Sequence, residues 1–303
     1  MSTFSLYYHP LYSDGLDRTA RFPVDRYRLL AEKISLLNRK NNIRIKEPRL
    51  ASRDELLLVH EESFIDRFIE GKLSEKEVRR IGLKPWKPEI IPRTLRLVGG
   101  ALDGLDELLN GAVLAGNMAG GTHHAFRGEG AGYCIFNDLA IAAEVALQKK
   151  NIDRVLILDL DVHQGDGTID ICHDKNGIYT CSLHCEQNFP FQKRQGTRDV
   201  SLDNHLEDTA YLNKLHITLK EISKEFMPDI VLYDAGVDVF FGDQLGNLDL
   251  TLEGIFKRDC NVLEHFKSRK VPVATVIGGG YSPCDSDIAK RHLSIFRAAN
   301  DVF

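Results

Sequence analysis

The sequence predicts an α/β fold, a single three-layer α/β/α domain with a central, mostly parallel sheet. Short apolar runs end in Gly or Asp, and longer segments with helical periodicity separate them. Strands that are apolar almost throughout, each followed by a helix, are typical of parallel sheets covered on both faces. No repeat, low-complexity stretch or Pro/Gly/Ser linker divides the 303 residues, so we expect residues 1–303 to form one domain.

Four apolar runs are the predicted strands, because each is too short for a helix and ends in small or acidic residues. They cover 112–115, 155–158, 230–233 and 271–277.

Two helices are predicted from residue spacing. The apolar residues of the first recur every three or four positions: Leu212, Leu215, Leu219, Ile222 and Phe226. The second helix covers 252–266 and follows Thr251, a residue type that caps helices. Residues 22–104 are predicted to be mostly helical, with Pro92 tolerated only near a helix start.

Composition narrows the class of protein. The formal net charge of -5 comes from 39 basic and 44 acidic residues spread along the chain, so we expect no nucleic-acid partner. The N-terminal residues lack a signal-peptide pattern, and no apolar run reaches the ~20 residues of a membrane span. Six cysteines without a CxxC pair suit a reducing compartment, so we expect a cytoplasmic protein.

Chemically reactive residues follow each predicted strand. In open α/β sheets, ligands bind outside the carboxyl ends of the strands. The residues at these four ends include a glycine pair with two histidines, a run of acids around one histidine, two further aspartates, and three glycines before a tyrosine: 120–124, 159–166, 234–238 and 278–281. The sequence therefore places a candidate site at this edge of the sheet.

Asp161, His163 and Asp238 are the candidate metal ligands. A single Asp after a strand is usually a turn or capping residue. Several carboxylates at the ends of buried strands need a neutralising partner, because isolated buried charge is costly. Two oxygens and one nitrogen leave a coordination position open for water, as a catalytic zinc site requires, and the same set accepts iron(II).

His123 and His124 are candidate acid/base groups, because imidazole titrates near neutrality. Asp159 and Asp166 are carboxylates available to orient their rings. Tyr281 follows three glycines and could donate its hydroxyl to a reacting carbonyl.

Two other interpretations are weaker. The glycine clusters at 128–132 and 278–280 lack the GxGxxG and GxxxxGK[ST] spacings of nucleotide-binding loops. Cys181, His184 and Cys185 could hold zinc, but a fourth ligand at useful spacing is missing, and free thiols on a buried strand are favoured.

Five motifs in order resemble the histone deacetylase family, most closely its class IV and bacterial branch. They are GGTHHA at 120–125, GYCIFND at 132–138, DLDVHQGDGT at 159–168, DAGVD at 234–238 and GGGY at 278–281. The match spans roughly residues 21–281. The segment EQNFPFQKRQGTRD at 186–199 is unlike the class I loop and fits the class IV-like bacterial pattern.

The resemblance implies an arginase/deacetylase fold with zinc bound by the three candidate ligands. It implies that His124, paired with Asp166, is the principal general base and then acid. His123, paired with Asp159, would tune the site electrostatically. Tyr281 would polarise the scissile carbonyl together with the metal.

The resemblance also implies a narrow acyl-lysine channel and a second ion. The implied substrate-binding residues are Gly132, Tyr133, Phe189 and Gly280. A structural K⁺ or Na⁺ would use main-chain oxygens and one hydroxyl, from Asp159, Asp161, His163, Leu183 and Ser182 Oγ.

The leading functional hypothesis is zinc-dependent hydrolysis of an acylated amine, with Nε-acyl-lysine of a protein or peptide as substrate. Acetylpolyamines and other small acylated amines are alternative substrates. An arginase-like ureohydrolase would need a two-metal site. A non-catalytic binder of acyl-lysine is the alternative from a different class, and the retained His124, Asp238 and Tyr281 argue against it.

Overall fold

The structure, a computed structural model, describes residues 3–37 and 42–303. In these residues eight strands form one sheet and eleven helices surround it. The strands are β1 (Phe4–Tyr7), β2 (Ile43–Lys46), β3 (Leu114–Asn117), β4 (Val155–Asp159), β5 (Ile178–Cys185), β6 (Arg198–Leu202), β7 (Ile230–Asp234) and β8 (Val273–Val276). The helices are α1 (Leu11–Asp14), α2 (Arg26–Leu37), α3 (Arg53–Leu57), α4 (Glu62–Ile69), α5 (Glu75–Ile81), α6 (Ile90–Leu109), α7 (Asp138–Leu147), α8 (Asp166–Cys172), α9 (Asp208–Glu225), α10 (Leu252–Lys267) and α11 (Asp285–Val302).

The sheet confirms the predicted α/β class. Its strand order is β2-β1-β3-β8-β7-β4-β5-β6, and every pairing between neighbouring strands in the described residues is parallel. Parallel neighbours require crossover connections. Helices supply them except between β5 and β6, which the segment 186–197 connects. All carboxyl ends of the strands therefore lie at one edge of the sheet.

Two rows of helices sandwich the sheet. Helices α6 and α7 contact the central strands directly, and α2, α11, α10 and α9 pack side by side in a second row. Strands β4, β7 and β8 are buried at every residue, so both faces of the sheet centre are covered. The apolar core lies between these layers. The polar groups converge at the carboxyl ends of the strands.

The predicted elements match with small boundary shifts. The first and fourth predicted strands begin two residues later than expected, at Leu114 and Val273. The helix expected at 252–266 begins after Thr251, whose hydroxyl accepts a hydrogen bond from the Gly254 N–H at 3.0 Å. Pro92 is the third residue of α6, where a missing N–H breaks no helical hydrogen bond.

Strand β2 corrects the prediction that 22–104 is mostly helical. It pairs with β1 at the edge of the sheet, and only Ile43 of its four residues is buried. An edge strand faces solvent on most sides, so it lacks the apolar run by which the central strands were predicted. The other edge strand, β6, has the same character and was not predicted either.

His60 connects the helices before α6 to the start of α7. Its Nδ1 lies 2.9 Å from the Phe126 carbonyl, and its Nε2 accepts the Asn137 backbone N–H at 2.9 Å. These contacts fix a neutral ring with the proton on Nδ1. Burial lowers the pKa of His60 to about 4, because the charged ring would be removed from water. The proton added to Nε2 would also face the Asn137 backbone N–H, which is itself a donor.

We expect this histidine to weaken the fold in acid. The unfolded chain takes up the proton near pH 6.5 and the folded chain only near pH 4, so stability is complete above pH 6.5 and falls as the pH drops. The loss should reach about 3 kcal/mol of unfolding free energy by pH 4. Denaturant unfolding of wild type and His60→Gln between pH 7.5 and about 4 measures it, with the exposed His216→Gln as control. Equal pH dependence in wild type and His60→Gln would contradict the assignment.

Candidate active site

The loops that carry the predicted site residues lie side by side. Strands β3, β8, β7 and β4 are consecutive in the sheet, and they lead into 120–124, 278–281, 234–238 and 159–166 in that order. The histidines and aspartates of these loops are buried. The four strand ends predicted from the sequence thus form one site.

The two adjacent histidines each contact a different aspartate. His123 Nδ1 lies 2.8 Å from Asp159 Oδ2, and His124 Nδ1 lies 2.6 Å from Asp166 Oδ1. The ring centroids are 4.1 Å apart. Both pairings are those that the resemblance implies, and in each the Nε2 atom is left free for other contacts.

The two rings favour different protonation states. Burial disfavours the charged form of His123, but the charges of Asp159 and Asp161 outweigh it and raise the pKa of His123 well above its usual range. Burial and the charge on His123 lower the pKa of His124 to about 4, although Asp166 opposes this shift. His124 is therefore the neutral ring of the pair.

Asp138, the last residue of the GYCIFND segment, connects this segment to the loop that carries His123. Its carboxylate accepts hydrogen bonds from the backbone N–H groups of Gly121 (3.1 Å) and Thr122 (2.9 Å) and from the Thr122 hydroxyl (2.6 Å). Gly121 has a φ of +78°, and a Cβ there would lie 2.5 Å from Asp234 Oδ2. This glycine lets the loop before His123 pack directly on the end of β7.

Asp161, His163 and Asp238 form a buried cluster that could hold a metal ion, with ligand atoms within 4.8 Å of one another. His163 Nδ1 lies 2.9 Å from Asp161 Oδ1 and 3.2 Å from Asp238 Oδ2. Burial opposes charge on His163, but the hydrogen bond to Asp161 and the nearby charge of Asp238 outweigh it and raise the pKa of His163 to about 10. Two carboxylates thus attract positive charge to this point.

The cluster fits a divalent ion on two further observations. Asp238 Oδ2 is buried without a hydrogen-bond partner in the described residues. A Cβ on Gly279 would lie 2.1 Å from that atom and 2.6 Å from Asp161 Oδ2, so the absent side chain leaves the space beside both oxygens open. Carboxylate oxygen and imidazole nitrogen are ligands that zinc and iron(II) both accept.

Asp234 takes part in a second buried cluster that the sequence did not single out. His123, Asp159 and Asp234 also present ligand atoms within 4.8 Å of one another. Both oxygens of Asp234 are buried without a hydrogen-bond partner in residues 3–37 and 42–303. Burial raises the pKa of Asp234 well above its usual range, and the charge of Asp159 adds to this shift.

Tyr281 is supported by residues that sequence reasoning missed. Asp243 Oδ2 accepts hydrogen bonds from the Tyr281 backbone N–H (2.7 Å) and from Arg291 (2.8 Å). Arg26 donates to the Gly280 carbonyl at 3.2 Å. Burial raises the pKa of the Tyr281 phenol well above its usual range, and nearby aspartates add to the shift, so the hydroxyl keeps its proton.

Arg258 stabilises the two loops that carry the candidate ligands. This fully buried side chain donates to the carbonyls of Gly236 (2.5 Å) and Leu160 (3.3 Å), and it pairs with Asp259 at 2.9 Å. The signal in the sequence was a charged pair between Ile255 and Val262 on the apolar face of a helix. Buried ions are paired and hydrogen-bonded, as here.

A cavity of about 1670 Å³ opens from the site to solvent, and His124, His163 and Tyr281 line it. Three of the four predicted substrate-binding residues line it too: Gly132, Tyr133 and Phe189. The ring of Phe189 lies 4.8 Å from that of His124, edge to face. A Cβ on Gly132 would lie 2.7 Å from His124 Cδ2, so only glycine fits there.

Gly280 lies elsewhere. It is buried behind Tyr281, and a Cβ there would meet Val237 at 2.7 Å and Ile288 at 3.2 Å. Gly280 is therefore not among the described residues that line the large cavity.

The residues implied for a monovalent ion meet where β4 and β5 pair. Asp159 is the register partner of Ser182, which brings the loop after β4 next to Leu183. Ser182 Oγ lies 3.0 Å from His184 Nδ1. Because β5 is a strand, His184 and Cys185 point to opposite faces, and the Cys185 thiol donates to Asn204 Oδ1 at 3.0 Å.

The fold and the site together define the class of protein: an α/β protein with buried His–Asp pairs and a candidate metal cluster at the carboxyl edge of a parallel sheet. The family model for the histone deacetylase domain matches residues 21–297. The chain belongs to the histone deacetylase family, which is a family of hydrolases. The predicted resemblance is thereby confirmed.

Three relatives show how far the similarity extends. The chain is 43% identical over 303 residues to an uncharacterized protein of Picosynechococcus sp., covering 99% of each. It is 33% identical over 252 residues to acetoin utilization protein AcuC of Staphylococcus aureus, covering 77% of this chain and 64% of AcuC. It is 30% identical over 246 residues to histone deacetylase 2 of Arabidopsis thaliana, covering 78% of this chain and 63% of that protein.

Among the helices of the described residues, none combines the length and the apolar character that crossing a membrane requires.

Proposed function

We propose that residues 1–303 form one catalytic domain that hydrolyses the amide bond of an acylated amine, with Nε-acyl-lysine as the substrate group. One observation supports this most: the His124–Asp166 pair, His163 of the metal cluster and Tyr281 all line the same open cavity. Amide hydrolysis needs a base, an electrophile and a donor to the carbonyl oxygen, and these residues can supply the first and last themselves.

Asp161, His163 and Asp238 would hold zinc or iron(II). When bound, a divalent ion supplies Lewis acidity, which makes a carbonyl carbon more electrophilic and a water molecule more acidic. Arg258 and the Gly279 N–H, which donates to Asp161 Oδ2 at 2.7 Å, keep the ligand loops in place. A K⁺ or Na⁺ beside Asp159 and Ser182 is part of the same proposal.

His124 would move the proton. Asp166 occupies its Nδ1, so Nε2 is free to accept a proton from the attacking water. As the C–N bond breaks, the same nitrogen returns that proton to the leaving amine. His123 is not among the described residues that line the large cavity, which suits an electrostatic role for it.

We expect Tyr281→Phe to lower kcat by ~10²- to 10³-fold, because the phenol stabilises negative charge that develops on the carbonyl oxygen. Metal content and unfolding free energy should change little, since the ring and its backbone support from Asp243 are kept. Steady-state kinetics at saturating metal measure the loss.

Tyr179→Phe is the matched control. Its hydroxyl contacts Glu225 at 3.0 Å, at the amino end of β5, and should be dispensable for turnover. If Tyr281→Phe kept a kcat within a few-fold of wild type, the tyrosine would have only a packing role.

The proposed function is tested with a panel of substrates and protein of measured metal content. The panel contains acetyl-lysine peptides, the same peptides with longer acyl chains, and acetylpolyamines. Release of the free amine from an acyl-lysine peptide supports the proposal. Binding of such peptides without turnover by metal-loaded protein would instead indicate a non-catalytic binder.

The location of the protein in the cytoplasm stays a prediction.

A ureohydrolase is the second candidate, and the cluster of His123, Asp159 and Asp234 is what favours it. Arginase-like chemistry needs two metal ions, and this cluster lies beside the first. Two bound ions per chain, with urea released from a guanidino substrate, would support it. One ion per chain and no urea would support the deacylase.

A further inference from the structure

The mouth of the large cavity is lined by cations. Five basic side chains line it: Arg21, Arg80, Lys84, Lys193 and Arg194. In the described part of the chain, Asp166 is the one carboxylate of the lining, and it is buried against His124. The chain as a whole carries a net charge of -5, so this positive excess is local to the mouth.

Two of the five cations are compensated. Arg80 pairs with Glu129 at 2.8 Å, and Arg194 pairs with Asp170 at 2.8 Å. Both guanidinium groups also lie over the ring of Phe126, at 5.9 and 5.5 Å from its centroid. These contacts fix the two arginines on one wall of the mouth.

The other three cations form no ion pair with a carboxylate in the described residues. Arg21 and Lys84 are exposed and form no ion pair with residues 3–37 and 42–303. Lys193 Nζ donates to the backbone carbonyls of Asn188 (2.7 Å) and Pro190 (2.6 Å), which hold the ammonium but do not neutralise it. These carbonyls flank Phe189, so the Lys193 charge lies close to the wall that packs on His124.

A concave, cation-lined entrance raises the local concentration of anions and repels cations, most strongly at low salt. The Debye length is ~10 Å at 0.1 M salt, comparable to the size of such a mouth. Carboxylates on a substrate would find three unpaired partners there. A polyamine would bring further ammonium groups into a field of the same sign.

We propose that the mouth selects acylated amines that carry carboxylates close to the scissile amide, and that it disfavours polycationic substrates. The inference rests on the proposed deacylase function and narrows its substrate class. The size of the cavity favours an acyl-lysine with Asp or Glu neighbours in a peptide. A free acylated amino acid, with its own carboxylate, offers the same chemistry on a smaller scale.

The test compares acetyl-lysine peptides of equal length that differ only in their flanks, four Glu or four Lys, together with free Nε-acetyllysine and an acetylpolyamine. We expect kcat/KM for the Glu peptide to exceed that for the Lys peptide by about tenfold or more at low salt. The ratio should approach one in 1 M salt, where the Debye length is ~3 Å. Free Nε-acetyllysine turned over faster than the Glu peptide would identify a small acylated amino acid as the source of the carboxylate.

Variants tie the preference to the mouth. Arg21→Glu with Lys84→Glu should remove or reverse the preference and leave the fold intact, because both side chains are exposed and neither forms an ion pair within the described part of the chain. Lys149→Glu with Lys220→Glu is the matched control, since it makes the same charge change on exposed lysines that precede β4 and β7, near the amino ends of these strands. The control should keep the wild-type ratio.

The two proposals fail in different ways. Equal kcat/KM for the Glu and Lys peptides, or a ratio that the mouth variant and the control shift alike, would overturn the inference and leave the deacylase function standing. Absence of turnover on every acylated amine by metal-loaded protein would overturn both.

Discussion

We expect Asp238→Ala to abolish hydrolysis by removing the metal. The cluster offers three candidate ligands, and the two that remain would not hold an ion in a site that also keeps a position open. Asp238 Oδ2 is buried without a hydrogen-bond partner in the described residues, so this oxygen is available to a metal ion. His163→Ala should have the same effect, and metal analysis together with kcat measures both.

Asp174→Ala is the control for Asp238→Ala, because it removes a carboxylate that is 83% exposed. Metal content and turnover of this variant should match wild type. The ligand assignment would be wrong if Asp238→Ala retained one ion per chain and full activity. Circular dichroism separates metal loss from unfolding, since Asp238 also accepts the Val162 N–H at 2.9 Å and the variant loses that bond.

The second large effect should come from His124→Ala, with a loss of roughly 10²- to 10⁴-fold in kcat at saturating metal, the usual worth of general acid/base catalysis. His123→Ala should lose clearly less. The reason is positional: His124 lines the large cavity and contacts Phe189, whereas His123 lies between Asp159 and Asp161.

Added imidazole gives an independent readout for the two histidine variants. It can enter the cavity beside Phe189 and replace the missing base in His124→Ala, so part of the rate should return. His123→Ala should not respond, because His123 is not among the described residues that line the large cavity. Equal losses in the two variants, or rescue of His123→Ala alone, would reverse the division of roles.

The fold was predictable where burial leaves a pattern in the sequence. Central strands such as β4 and β7 are covered on both faces, so they are apolar throughout and stand out. Edge strands β2 and β6 carry charged and polar residues, and their pairing depends on the sheet that they join. Local sequence does not contain that information.

The residues of the candidate site also fall into two groups, those that the sequence predicted and those that only the structure identifies. Motif order alone indicated the family and the candidate residues, including the His123–Asp159 and His124–Asp166 pairs. Supporting residues such as Asp243 and Arg258 act across 38 and 22 positions of sequence, on Tyr281 and Gly236. No spacing rule links residues that far apart, so only the folded chain identifies them.

The sequence by itself determined that four strand ends carry reactive side chains, because residue type follows from what each position must bind or bury. The tertiary structure decided that β3, β8, β7 and β4 are neighbours, since strand order depends on how helices cross over the sheet. It also decided the charge of the mouth. Arg21, Lys84 and Lys193 come from separate loops, and only packing shows that no carboxylate in residues 3–37 and 42–303 pairs with them.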